Sequence, residues 1–252
     1  MIEVSHVSRS YGDTVVVDDV SLQLARGGIT AIIGPNGAGK SSLLSMIARL
    51  IPMSAGSIHV DGLDVRKAPS DALAKRLAIL RQDNHIGARL TVRELVCFGR
   101  FPHSRGRMTA EDDAHVDRAI GYLGLQDYAD CFIDELSGGQ RQRAFVAMVL
   151  CQDTDYMLFD EPLNNLDVRY AVDMMRLLRQ AARGMGKTIV VVLHDINFAS
   201  AYATHIIAMK KGRVFMQGSP AEIIQADVLA TIYETAFEVH ELGDKRIVTY
   251  YD

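Results

Sequence analysis

The stretch "ITAIIGPNGAGKSSLLSMI", residues 29–47, constrains the fold more than any other part of the chain. Its first five residues form a nearly continuous apolar run, the pattern of a strand covered on both faces. Glycines stand at 34, 37 and 39, and a helix-like run begins at Ser41. Gly34, Gly39, Lys40 and Ser41 satisfy G-x-x-x-x-G-K-[ST] between a strand and a helix, the context the motif needs. Gly34, Pro35, Asn36, Gly37, Ala38 and Gly39 thus form a loop whose backbone N–H groups turn onto phosphate oxygens. Lys40, Ser41 and Ser42 open the helix behind it; Lys40 reaches the β- and γ-phosphates, and Ser41 offers a hydroxyl to Mg²⁺.

Such a unit belongs to a parallel sheet, and the rest of the chain supplies the other strands. "DYMLFD", "TIVVVLH" and "HIIAMKKGRV" are strand-like, and the helical pattern "DVRYAVDMMRLLRQAARG" separates the first two. "EVSHVSRSY" and "TVVVDDVSLQLARG" alternate apolar and polar residues, as half-buried antiparallel strands do. "SIHVDG" and "LAILRQ" add two more short strands. Residues 83–154 read differently, as "TVRELVCFGR", "TAEDDAHVDRAIGYLGL" and "GQRQRAFVAMVLCQ" are all helix-like, with Thr91 and Thr109 placed to cap acidic first turns. At 252 residues the chain accommodates one large α/β domain with this helical insertion. Residues 1–82 and 155–218 form its core, and 219–252 a short extension reading as a helix pair plus a strand, too short for a regulatory domain.

A metal-bound triphosphate needs acids at a neighbouring strand end. "YMLFDE" supplies Asp160 for Mg²⁺ and Glu161 as general base for an attacking water. His194 ends another apolar strand, where it reaches the γ-phosphate, and Gln82 ends "LAILRQ", where it carries water or Mg²⁺ and reports to the helical insertion. The candidate catalytic set is therefore Glu161, His194, Gln82 and Lys40, and the metal set Ser41, Gln82 and Asp160.

A second cradle stands about a hundred residues after the first. "LSGGQRQR" places Ser137, Gly138, Gly139 and Gln140 at a helix start, where free N–H groups, a hydroxyl and the helix dipole favour an anion. Composition limits the partners. A net charge of −4 disfavours a nucleic-acid face. The longest apolar runs fall far short of the roughly 20 residues that span a bilayer, and the opening residues lack a signal-peptide pattern, so a cytoplasmic chain is expected. Three cysteines without metal-ligand spacing point to reduced thiols, and eight scattered histidines to no zinc site.

Together these motifs resemble the ATP-binding cassette (ABC) family over residues 2–218. "GPNGAGKSS" looks like its Walker A, "YMLFDE" its Walker B, Gln82 its Q-loop, "LSGGQ" its signature, "NNLD" its D-loop and His194 its switch histidine. The resemblance implies a P-loop NTPase (RecA-like) core with an antiparallel β subdomain and an inserted α-helical subdomain. It implies ATP and Mg²⁺ as ligands and a head-to-tail dimer with a second copy, in which Ser137, Gly138, Gly139 and Gln140 cap the nucleotide held by the partner's Walker A. It places Asp167 among the nucleotide-contacting residues, and Tyr11 where an aromatic ring stacks on adenine. The chain departs from the family at its D-loop, where "DEPLNNLD" replaces the commoner "DEPTSALD". Asn164 and Asn165 there change the length and geometry of the cross-dimer contact.

Several segments resemble the ATPases of bacterial iron–siderophore and vitamin B12 importers, "FGRFPHSRGR" and "VVLHDINFASAYATHIIAMKKGRVFMQGSPAEII" among them, and "DEPLNNLD" and "QDTDYMLF" are most similar to the subset handling catecholate siderophores such as petrobactin. That branch implies a peripheral subunit on the cytoplasmic face, coupled to membrane-spanning permease subunits and, through them, to a substrate-binding protein. Residues 83–107, with Arg93, Phe98, Phe101 and Arg105, would form the groove for a permease helix. Importers of B12, haem or other metal complexes, an exporter subunit, and a soluble cassette ATPase remain the alternatives.

Overall fold

Residues 1–250, apart from His85, Asn165 and Asp244, are described by a computed structural model. The chain opens with two long strands, β1 (Ile2–Tyr11) and β2 (Thr14–Leu24), which pair antiparallel. They are followed by β3 (Gly28–Ile33), α1 (Lys40–Ile47), β4 (Ala55–Val60), β5 (Leu63–Asp64), α2 (Ser70–Ala74) and β6 (Leu77–Leu80). Next come α3 (Val92–Cys97), α4 (Phe101–Ser104), α5 (Ala110–Tyr122) and α6 (Gly138–Cys151). Strands return with β7 (Tyr156–Asp160), α7 (Val168–Gly184), β8 (Thr188–Val192), α8 (Ile196–Tyr202), β9 (His205–Lys210) and β10 (Arg213–Gly218). The last elements are α9 (Pro220–Ile223), α10 (Ala226–Tyr233), β11 (Glu238–Leu242) and β12 (Lys245–Thr249).

The apolar runs lie side by side in a six-stranded sheet of order β10-β9-β3-β8-β7-β6, parallel except for β10. Both faces are covered, which is why these strands carry no polar alternation. Ile29, Ala31 and Ile33 of β3 pack with α3, α5, α6, α7 and α8 on one side. On the other, Ile32 joins Leu158, Val190 and Ile207 against α1 and a second sheet of order β2-β1-β4-β5, all antiparallel. The result is an α/β fold, with the helices of the 83–154 segment on one flank of the parallel sheet and an antiparallel sheet on the other.

Register sets the site. Val192 of β8 pairs with Ile32 of β3 on one side and with Asp160 of β7 on the other. The loop at Gly34, the acids at 160 and 161, and His194 therefore leave the sheet at one carboxyl edge, where ligands of α/β folds bind.

Helix caps explain the helical segment. Thr91 and Glu94 exchange hydrogen bonds at the start of α3, as Thr109 and Asp112 do at α5 and Ser137 and Gln140 at α6. The expected tail strand is β11, but it pairs with a further strand, β12, into a hairpin. Gly243 supplies the positive φ, 64°, that its turn needs. The helix α2 has too short an apolar pattern, five residues, to stand out in the sequence.

A buried ion pair ties the helical segment together. Arg100 donates from Nε to Asp112 at 2.8 Å and from Nη1 to the carbonyl of Cys151 at 3.0 Å, with both side chains under a tenth exposed. The guanidinium, aided by Thr109, holds the Asp112 carboxyl down to about 2. A carboxylate depressed on folding adds stability that is present above its unfolded pKa, near 4, and is lost as the pH falls through the folded value. Arg100→Met should lower the unfolding free energy at neutral pH by about 3–5 kcal/mol, because Asp112 is left buried and unpaired. In urea titrations that loss should shrink toward pH 2, where Asp112 takes up a proton.

Candidate nucleotide site

The cradle is built from backbone that only glycine allows. Gly34 has φ 141°, and a Cβ there would lie 2.1 Å from the carbonyl oxygen of Met209. Gly39 has φ 96° and would meet the carbonyl of Val16 at 2.6 Å, so β2 and β9 both press on the loop. Around it lies a cleft of about 150 Å³ lined by Val16, Asn36 to Ser42, and Glu161.

Lys40 is the buried cation of this cleft, 5% exposed, and its Nζ curls back to the carbonyls of Gly34 at 2.8 Å and Pro35 at 3.0 Å. Burial lowers its pKa against the opposing pull of Glu161 and Asp160. Asp160, 7% exposed, accepts a 2.8 Å hydrogen bond from Ser41 Oγ. Burial raises its pKa and the charge of Glu161 adds to the rise, while Ser41, Lys40 and His194 oppose it. Among the described residues no cluster of three or more His, Cys, Asp or Glu side chains is suited to hold a metal. One carboxylate beside one hydroxyl does fit a magnesium ion whose remaining positions are filled by phosphates and water.

Glu161 stands at a positive φ of 52°, in the left-handed region. Its Oε1 lies 2.5 Å from Nε2 of His194, and its Oε2 accepts from Nδ2 of Asn164 at 2.5 Å. The two residues expected to act on the γ-phosphate side are thus in direct contact.

Other candidates lie elsewhere on the surface. Gln82 falls two residues beyond the end of β6, exposed, in a groove it shares with Gly138, Arg141, Gln142 and Asn164. The β1–β2 hairpin that lends Val16 to the cleft carries Tyr11, half exposed, with the guanidinium of Arg9 4.4 Å from its ring centroid. Ser137 and Gln140 cap α6 reciprocally, at 2.9 and 3.3 Å, a cap that leaves out the N–H groups of Gly138 and Gly139. Gly138 is exposed; Gly139 is buried, and a Cβ on it would meet the Tyr170 ring at 2.9 Å. Asp167 caps α7 by accepting from the Tyr170 N–H at 3.0 Å. None of Ser137 to Gln140 lines the cleft around Lys40, so one chain does not bring its two cradles together. Asn165 lies outside the described residues.

In residues 83–107, where His85 is also outside the described set, Phe98 and Phe101 are 54% and 57% exposed. Arg93 is paired with Asp117 and Arg105 with Asp71. A cleft of about 240 Å³ in the same segment is lined by Ile86, Leu90, Ile133 and Phe145 together with Arg89, Asp134 and Arg141.

The family model for the ABC transporter matches residues 17–164, more than half of the chain. The chain belongs to the ABC transporter family. It is 49% identical over its whole length to the petrobactin import ATP-binding protein YclP of Bacillus subtilis, whose whole length is also covered. It is 41% identical to the ferric enterobactin transport ATP-binding protein FepC of Escherichia coli, over 88% of this chain and 83% of that one. Among solved structures, the dimeric MJ0796 cassette bound to ADP and Pi superposes with a TM-score of 0.77 at 29% identity, covering 87% of this chain and 99% of that one. A metal-chelate-type ABC transporter in an inward-facing conformation superposes at 0.84 over 99% of this chain and 96% of that one; at 22% identity it speaks to fold alone. The chain is an ABC-type ATPase that binds ATP, and among its described residues no helix is long and apolar enough to cross a membrane.

Residues absent from the ABC motifs also shape the site. Tyr233, at the end of α10, accepts a 3.0 Å hydrogen bond from the N–H of Gly34, and burial raises its phenol to about 12. The same extension grips the helix after His194: Asn197 exchanges two hydrogen bonds with Val248, and Ser200 donates to the carbonyl of Arg246. No sequence signal links positions 199 residues apart. Tyr233→Phe keeps the buried ring but strands the Gly34 N–H. It should cost about 1–3 kcal/mol in urea unfolding, the desolvation cost of an unpaired buried donor.

Proposed function

We propose that this chain is the ATP-hydrolysing subunit of a bacterial importer for an iron(III)–siderophore complex, with petrobactin the first cargo to test. The observation that carries the cargo reading is the 49% identity, end to end, with a petrobactin import ATP-binding protein. The similarity to FepC, named for ferric enterobactin transport, supports the wider siderophore class. The ATPase works as a peripheral subunit on the cytoplasmic face of the membrane. Its permease subunits dock through the exposed Phe98 and Phe101 of the helical segment, and a substrate-binding protein acts only through them.

Two copies pair head to tail. Each holds ATP through the 34–42 cradle and Lys40, with Tyr11 on the adenine, and Ser137, Gly138, Gly139, Gln140 and Asp167 meet the nucleotide of the other copy. The 1–82 and 155–218 core binds, the 83–154 segment couples to the membrane, and 219–252 braces the core. Ser41 and Asp160 would hold Mg²⁺, with Gln82 reaching it or its water once the groove beside α6 closes. A bound Mg²⁺ neutralises charge on the phosphates.

The chain's own residues do the rest. Lys40 exchanges the carbonyls of Gly34 and Pro35 for phosphate oxygens, a charge-assisted contact that a buried ammonium favours. His194 turns from Glu161 toward the γ-phosphate, and Glu161 accepts a proton from the attacking water. Because ATP contacts both copies in the closed state, it favours closing, and hydrolysis removes that preference.

Glu161→Gln should retain ATP binding while turnover falls at least ~100-fold, the scale of a general base. Near-normal phosphate release by that variant would remove Glu161 from the role. The cargo is tested by uptake of labelled ferric petrobactin, ferric enterobactin and vitamin B12 in a deletion strain, complemented with wild type or Glu161→Gln. Petrobactin uptake should return with wild type alone. Restoration of B12 uptake only would keep the importer and replace the cargo.

A further inference from the structure

The D-loop departure at Asn164 has a structural counterpart at Glu161. The side chain of Glu161 is 8% exposed, and both of its oxygens are engaged within its own chain: Oε1 lies 2.5 Å from Nε2 of His194, and Oε2 accepts a hydrogen bond from Nδ2 of Asn164. Asn164 is itself fixed, because its backbone N–H donates to the carbonyl of Glu161 at 3.2 Å. One short turn thus returns the amide of residue 164 onto the residue three positions before it.

A general base must present one particular oxygen to the water it deprotonates, and a carboxylate free to rotate about its terminal torsion presents either. The two contacts differ in what they allow. His194 is 41% exposed on a loop at the sheet edge, and the reading above sends it to the γ-phosphate. Asn164 has no such second task in its own chain, and its amide reaches Oε2 while leaving Oε1 untouched. We propose that Asn164 is a positioning residue for hydrolysis: it holds Oε2 of Glu161, so that Oε1, once His194 leaves it, is the oxygen that faces water. The proposal rests on Glu161 being the base. It gives the first asparagine of "DEPLNNLD" a task within its own chain, beside any contact across the dimer. A serine at 164 has a donor too, but on a side chain one atom shorter.

The test is a double-mutant cycle in the full-length chain, with ATP hydrolysis, ATP binding by calorimetry and thermal unfolding measured for each variant. Asn164 is exposed, so Asn164→Ala should leave the unfolding temperature unchanged within error. Its kcat should fall about tenfold, the effect of about 1.4 kcal/mol at the barrier, with KM and ATP affinity within twofold of wild type. Asn164→Ser should fall between the two, and Asn164→Asp, which donates nothing and repels Glu161, should be at least as slow as the alanine. In the Glu161→Gln background, followed by single-turnover hydrolysis of labelled ATP, Asn164→Ala should cost less than twofold more, since it acts through the missing carboxylate.

A kcat within twofold of wild type in Asn164→Ala overturns the proposal. So does a rise in KM at constant kcat, which would move Asn164 to nucleotide binding or pairing of copies. A further tenfold loss on top of Glu161→Gln would show that it acts independently of Glu161. Wild-type turnover by Glu161→Gln alone would instead bring down the base assignment, and the proposal with it.

Discussion

Lys40 and Asp160 are both more than nine-tenths buried at the carboxyl edge of the parallel sheet, and the site depends on how their charges are kept there. Neither ion has much water, and burial pushes each toward its neutral form. What holds them is local: Lys40 on two loop carbonyls, Asp160 on the hydroxyl of Ser41. Each of these partners is replaceable by a phosphate or a phosphate-bound cation, at little cost in reorganisation. The cleft thus offers a polyanion with a hard cation charges to pair with, which an apolar ligand could not use.

That arrangement needs the backbone to come unusually close. Gly34 lies against the carbonyl of Met209 and Gly39 against that of Val16, so the loop is wedged between the end of β9 and the antiparallel sheet. The antiparallel sheet is consequently part of the site's architecture: it forms one wall of the cleft through Val16 and carries Tyr11 on the same hairpin. From the opposite direction, the extension after residue 218 reaches Gly34 through Tyr233 and α8 through β12. The glycine-rich loop and the helix that follows His194 are thereby braced by one short segment, too small for a domain.

The helical segment follows a more local logic. Reciprocal caps at Thr91, Thr109 and Ser137 start its helices, and the Arg100–Asp112 pair joins α5 to the end of α6. At α6 the same serine and glutamine that the sequence marked as a second cradle cap the helix, so their side chains set the geometry of its N-terminus. Gly139 serves packing as well, because any side chain there would strike Tyr170.

Much of this was legible without coordinates, wherever the physical cause lies within a few residues. The strand–glycine–lysine unit at 29–41, the apolar strands ending in Asp160 and His194, and the capping threonines each depend on neighbours in the chain, so composition and spacing reveal them. Gln82 was legible as a motif but not as a place, since the sequence cannot say that β6 stops at Leu80 and leaves it in a groove beside α6. Tertiary structure alone decided the contacts of Tyr233 with Gly34, 199 residues apart, and of Asn197 with Val248. Periodicity and spacing report which face of an element is covered; which atom a polar side chain bonds is set by three-dimensional register, here Val192 between Ile32 and Asp160. The sequence by itself determined that a phosphate cradle opens a helix behind a buried strand. The fold decided which oxygens and nitrogens meet there, because hydrogen bonds depend on ångström-scale placement that no local pattern encodes.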